Sequence, residues 1–290
     1  MKKRGAAVLI TAVVVVGLAL AAGKGKLKLS EQPDRAAAQP GAVPGKVEKL
    51  ATTQESAQGT GSGVAAMEQA AQNHKYLFAF FWKDEDQQTA AMKKVCEAAW
   101  KKTADRAQFV TLKITDPSEH AIVKKFELDR APMPLALAIA PNGAIMGGFP
   151  KKFTEDDLLG AFASPCSERS MKALQDGKLV FLCVQNKHTK SNEEAMQGVR
   201  QFRADPQYNP ATEVVALDPS DAAEAGFLKT LQVDPQSPVA VTVLLVPPGT
   251  PVGKFEGAVT KGQIVAKLAS AQSGCCPGGK CGPGGCPPKR

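Results

Sequence analysis

The stretch that decides the fold is Tyr76-Leu77-Phe78-Ala79-Phe80-Phe81-Trp82-Lys83-Asp84-Glu85-Asp86. Seven apolar residues run without a polar break and then stop at four charged ones. A run of that length with no alternation predicts a strand buried on both faces, hence one covered by helices above and below. The elements around it supply those helices. Gly63 to His74 carries Val64, Met67, Ala70 and Ala71 at helical spacing. Gln87 to Arg106 places Met92, Val95, Cys96 and Ala99 on one face. Further on, Phe109 to Thr115 reads as a strand, Pro117 to Phe126 as a short helix and Pro134 to Ala140 as a strand. The turn Pro141-Asn142-Gly143 returns the chain into Ile145 to Phe149 as a hairpin. Thr154 then caps a closing helix to Phe162, with Glu155, Asp156 and Asp157 in its first turn.

A fainter copy of this order follows. Met171 to Asp176 ends a helix at Gly177, and Lys178 to Val184 is again an apolar strand. Gln185 to Lys190 is a loop, and Ser191 caps a helix through Phe202. Thr212 to Leu217 is a strand, and Asp221 to Leu231 a helix. Val239 to Val246 and Val252 to Phe255 form a hairpin before a last helix, Thr260 to Ala271. Ser237-Pro238 enters the second hairpin as Met133-Pro134 enters the first, 104 residues earlier.

This order resembles the thioredoxin fold. Three details carry the resemblance: the strand ending in Phe81-Trp82 before a long helix, Ala131-Pro132-Met133-Pro134 entering the hairpin, and the turn Pro141-Asn142-Gly143 followed by Gly147-Gly148-Phe149. It implies an α/β architecture of tandem thioredoxin-like domains, over 63–164 and 165–271. It also implies a cis-proline and a peptide-binding edge at Met133-Pro134 and at Ser237-Pro238. The family's chemistry needs Cys-x-x-Cys after the tryptophan, with the first thiol at a helix N-terminus that lowers its pKa. Here Lys83 stands for the first cysteine and Asp86 for the second. The second copy has Gln185-Asn186-Lys187-His188 in the matching loop. Trp82, Lys83, Asp86, Gln185 and His188 are therefore degenerate active-site positions, and no residue is expected to be catalytic. Asp84 to Asp86 read as acids offsetting a helix dipole sooner than as a cation site, and His188 beside Lys187 as an ordinary exposed pair.

Four of the seven cysteines, Cys275, Cys276, Cys281 and Cys286, lie in a Gly/Pro-rich tail over 272–290. Four thiolates suffice for Cu(I) or Zn, but the spacing also permits two disulfides or crosslinks to another chain. Cys96 and Cys183 sit among apolar residues and are expected to be buried. Cys166, in the junction Ser164-Pro165-Cys166-Ser167, is the candidate for exposure among the three; pairing with a tail cysteine is open to it but is not the expected outcome, since sequence does not show connectivity.

The chain starts Met1-Lys2-Lys3-Arg4 and runs apolar from Ala6 to Ala22. Residues 1–23 thus read as a cleaved signal peptide or a retained membrane anchor, and 24–62 as a polar linker. Both predict an extracytoplasmic location in a periplasm or envelope. The net charge of +8 resides in the ends. Residues 1–60 hold 9 Lys/Arg against 4 Asp/Glu, residues 271–290 hold 3 against none, and 61–270 hold 24 of each. A neutral body without a basic, aromatic patch argues against nucleic acid. The expected function is a non-enzymatic platform for a protein or peptide partner. Its rivals are a thiol-disulfide oxidoreductase or a soft-metal protein working through the tail.

Overall fold

The computed structural model describes residues 61–272. The signal or anchor segment, the linker up to residue 60 and the four tail cysteines lie outside the described residues, and Ser62, read as the linker's end, already belongs to the first helix. Among those described, no helix is long and apolar enough to cross a membrane.

The first domain runs α1 (Ser62–Gln72), β1 (Tyr76–Trp82), α2 (Gln87–Lys102), β2 (Ala107–Lys113), α3 (His120–Lys125), β3 (Leu135–Ile139), β4 (Ile145–Pro150) and α4 (Glu155–Leu159). The second runs α5 (Pro165–Gln175), β5 (Leu179–Val184), α6 (Asn192–Ala204), β6 (Thr212–Leu217), α7 (Ala225–Thr230), β7 (Val241–Val246), β8 (Thr250–Glu256) and α8 (Lys261–Gln272). The strand orders are β2-β1-β3-β4 and β6-β5-β7-β8. In each sheet the first pair is parallel and the next two are antiparallel.

The pleat explains the unbroken apolar run. Successive side chains of a strand point to opposite faces. Leu77, Ala79 and Phe81 enter a cluster with Ala70, Ile122 and Val123, from α1 and α3. Phe78 and Phe80 enter another with Cys96, Ala99 and Leu158, from α2 and α4. Phe78, Phe80 and Phe81 are fully buried, and truncating any of them to alanine costs about 3–5 kcal/mol. The second domain repeats this division. Val180, Leu182 and Val184 pack with Ala173, Leu174 and Leu228, while Phe181 and Cys183 pack with Val199, Phe202, Ile264 and Leu268.

Several boundaries differ from the sequence reading. Helix α5 starts at Pro165, six residues before Met171, because Ser164 caps it with Pro165 in the first turn. The segment read as a junction is therefore helix, and the domains share it. Met171 packs on the first domain's core, whereas Ala173 and Leu174 belong to the second. Gln175 on the same helix donates to the carbonyl of Ile145 at 2.7 Å and accepts its N–H at 2.9 Å. The Tyr76 hydroxyl donates to Glu168 at 2.5 Å and accepts the Ala163 N–H at 3.0 Å. Burial, then the Glu168 carboxylate beside it, push the Tyr76 hydroxyl pKa upward. Ser191 does not cap α6: it is left-handed, with φ of 60°, and makes no capping bond. Thr154 does cap α4, in a reciprocal capping box with Asp157. The helix expected over Asp221 to Leu231 opens as a 3₁₀ turn, Ala222–Glu224, before α7.

That turn and its counterpart Pro117–Glu119 each end in a buried glutamate. Glu119 accepts the Ser62 hydroxyl at 2.5 Å and the Gly63 N–H at 2.9 Å. Glu224 accepts the Ser164 hydroxyl at 2.5 Å and the Cys166 N–H at 3.0 Å. Each carboxylate thus satisfies the start of its domain's first helix, where N–H groups lack partners within the helix.

Candidate functional site

The expected site lies where β1 ends and α2 begins. Trp82 is half-buried, and the Lys113 ammonium sits 5.0 Å from its ring centre. Lys83, Asp84 and Glu85 are exposed. Asp86 is the N-cap of α2, its carboxylate accepting the Thr89 N–H at 2.7 Å. That bond holds the Asp86 carboxyl below the usual carboxylate range. The position of the second family cysteine is thus occupied by a structural cap.

The thiols that are described lie elsewhere. Cys96 and Cys183 are buried in the cores, and burial pushes both up to about 12. Cys166 is half-buried in the first turn of α5, and its thiol donates to the Ala216 carbonyl at 3.3 Å. Burial first, then the Glu224 carboxylate, push it up to about 12. A nucleophilic cysteine needs a lowered pKa and access; all three thiols here are pushed upward, and Cys96 and Cys183 are buried as well. In the native full-length chain at pH 7.5, we expect iodoacetamide to leave Cys96 and Cys183 unmodified and to label Cys166 slowly. All three should react fully in denaturant. Peptide mapping by mass spectrometry checks this; rapid native labelling of Cys96 or Cys183 would contradict the burial.

The edge before β3 is the other expected part. The Met133–Pro134 bond is cis, and the pairing of Phe81 with Leu135 brings Pro134 to the same end of the sheet as Trp82. For the second domain the structure corrects the match. Phe81 and Val184 both face the first-helix side of their sheets. Phe81 pairs with Leu135 and Val184 with Val241. Leu135 therefore corresponds to Val241, Pro134 to Ala240 and Met133 to Val239. A second contact agrees: Lys151 donates its N–H to Pro134 at 2.7 Å, and Gly257 to Ala240 at 2.7 Å. Both donors have positive φ, 63° and 72°. Ser237-Pro238 lies two residues before the true counterpart, and its peptide bond is not cis. The other cis bond in the described residues is Pro247–Pro248, in the β7–β8 turn.

The second loop is also displaced. Trp82 corresponds to Gln185, and the cap Asp86 to Ser191. Five residues, 186–190, stand where three, 83–85, stand in the first domain. The extra length is tied down by side chains. Asn186 donates its N–H to the Thr189 hydroxyl at 2.9 Å and its side-chain amide to Asp218 at 2.9 Å. That amide, more than Ser220, pulls the Asp218 carboxyl down to about 2. Lys187 and His188 are exposed. No group of three His, Cys, Asp or Glu among the described residues stands ready to hold a metal.

A mixed four-stranded sheet of order 2-1-3-4 with helices on both faces defines a thioredoxin-like fold, and this chain carries two in tandem, the first of them with a proline directly before its third strand. No family model matches the chain, and no curated protein does. Among solved structures it is similar to the first two thioredoxin domains of Saccharomyces cerevisiae Eps1p, at 9% identity over 70% of this chain and 92% of that one, with a TM-score of 0.26. It is also similar to the zinc-bound form of human ERp44, at 9% identity over 76% of this chain and 62% of that one, with a TM-score of 0.31. A third is the N-terminal domain of alkylhydroperoxide reductase AhpF from Enterococcus faecalis, at 15% identity over 70% of this chain and 98% of that one, with a TM-score of 0.23. The fold assignment rests on strand order and register.

Proposed function

We propose that the chain is an exported, redox-silent thioredoxin-like protein whose first domain binds extended polypeptide along Met133. One observation carries this reading. Among the described residues, the Pro132 carbonyl and both backbone polar groups of Met133 have no hydrogen-bond partner, although the neighbouring Pro134 carbonyl is paired with Lys151. Unpaired N–H and C=O groups beside a sheet are a template for an added strand. Trp82 flanks this edge with an aromatic surface, and Lys83 to Glu85 flank it with charge of both signs. Such pairing needs no thiol, which agrees with Lys83 and Asp86 standing where the family's cysteines would be. The basic and apolar residues 1–23 support export.

A permanently unfolded chain, reduced and carboxymethylated lactalbumin, serves as probe. Titrated into the isotopically labelled protein, it should shift the amide resonance of Met133 and the indole resonance of Trp82. Binding that leaves both unmoved would overturn the assignment of the edge. The same protein should not reduce insulin disulfides. Reduction that disappears on replacing Cys275, Cys276, Cys281 and Cys286 with serine would instead make the tail a redox site.

A further inference from the structure

We infer that the second domain's copy of this edge is closed by the chain itself, the Ser237 hydroxyl holding the Val239 N–H and C=O and Lys190 acting as a built-in occupant on the opposite side, so that each chain offers a single polypeptide-binding edge. The inference rests on the edge-pairing reading above and adds its stoichiometry and control. Lys190 forms an isolated parallel bridge with Val239, the counterpart of Met133. Its N–H donates to the Pro238 carbonyl at 2.9 Å, and its carbonyl accepts the Ala240 N–H at 2.9 Å. The Ser237 hydroxyl donates to the Val239 carbonyl at 2.8 Å and accepts the Val239 N–H at 3.4 Å. The Ala240 carbonyl holds the Gly257 N–H. From Pro238 to Ala240, then, every backbone donor and acceptor is used, and an incoming strand must first displace the Ser237 hydroxyl from Val239 on one side or Lys190 from Pro238 and Ala240 on the other.

The first domain cannot close itself in this way. Its loop is two residues shorter, and Pro134 has no N–H where Ala240 has one. In the second domain the occupant is held in place before it pairs. The Thr189 hydroxyl donates to the Asn192 side chain at 2.7 Å, and Asn192 donates to the Asn186 carbonyl at 2.7 Å. Together with the Asn186 bonds to Thr189 and Asp218, this network fixes the loop that delivers Lys190. A preorganised segment of the same chain competes with any external strand at high effective concentration.

Two measurements test this, one of them without a ligand. In native-state hydrogen exchange, the Ala240 and Lys190 amides should be slowed by about 100-fold or more over unprotected rates. Free exchange at both would overturn the closure, whether or not the first domain binds anything. The second measurement adds carboxymethylated lactalbumin to a variant lacking Lys187 and His188 and to Lys190→Pro, which removes the N–H donated to Pro238, each also carrying Ser237→Ala, which frees the Val239 N–H and C=O. Either variant should lose Ala240 protection and gain a probe-dependent shift at Val239 that the parent lacks. A parent that already responds at Val239 overturns the inference. So do folded variants that stay silent there while Met133 still responds. Silence at Met133 with a gained response at Val239 would instead reject the first-domain reading and leave the closure standing.

Discussion

Glu224→Ala is expected to lower the stability of the chain by about 3 kcal/mol, because two hydrogen bonds to a buried carboxylate are lost together and their donors are stranded. Glu224 is 2% exposed, and it receives the Ser164 hydroxyl and the Cys166 N–H. Water cannot replace the carboxylate in that position without opening the start of α5. Because α5 feeds both cores, the damage should not stay within one domain. A melting temperature lower by roughly 6–12 °C follows from the usual scaling at this chain length. Glu224→Gln keeps an acceptor of similar shape and should lose about half as much. Glu119→Ala makes the same cut at α1, where Ser62 and Gly63 donate. Its effect should be similar but confined to the first domain, since α1 packs only there. Thermal and urea unfolding of the three variants decides the matter. Equal, small losses below about 0.5 kcal/mol would show these glutamates to be incidental surface charge.

Neither glutamate stood out in the sequence, since each sits in a polar stretch that reads as an exposed helix. Their burial is set by tertiary placement: a 3₁₀ turn carries each one against the start of a helix more than fifty residues earlier in the chain. The repeat itself held a signal, for Asp116 and Glu119 recur as Asp221 and Glu224, 105 residues on. The central strands were legible because burial on both faces leaves no polar residue to interrupt the run. The degenerate loop after Trp82 was legible for a similar reason, as cysteine has no substitute in dithiol exchange. The counterpart of Met133 was not. The offset between the domains is 103 residues at β5, 105 after the longer loop and 106 at β7, so a constant spacing of 104 pointed to Ser237-Pro238 instead of Val239-Ala240. The Lys190 bridge leaves no periodic trace, because one residue pairs and its neighbours turn away.

Gly198→Ala reverses the usual sign of a helix substitution. In an exposed helix interior, alanine in place of glycine adds up to about 1 kcal/mol of stability. Gly198 lies in the middle of α6 on its buried face, where α6 meets the chain between β8 and α8. A β-carbon built there would stand 2.0 Å from the Val259 carbonyl oxygen and 2.7 Å from its carbon. The obstacle is backbone, so no rotamer change relieves it. Either α6 or the 257–260 segment must move. Val259 is itself a core residue, packed with Phe181, Val199 and Ile264, and a shift there loosens the contacts of α8. We therefore expect Gly198→Ala to destabilise the chain by about 2–3 kcal/mol, as overpacking does in a filled core. Gly226 is the control: it lies inside α7, and a β-carbon added there would meet nothing within 4 Å. Gly226→Ala should be neutral or stabilising by up to about 1 kcal/mol. Denaturant unfolding that finds the two substitutions equivalent would mean that α6 does not approach Val259 this closely, and the packing of α6 against the segment between β8 and α8 would have to be redrawn.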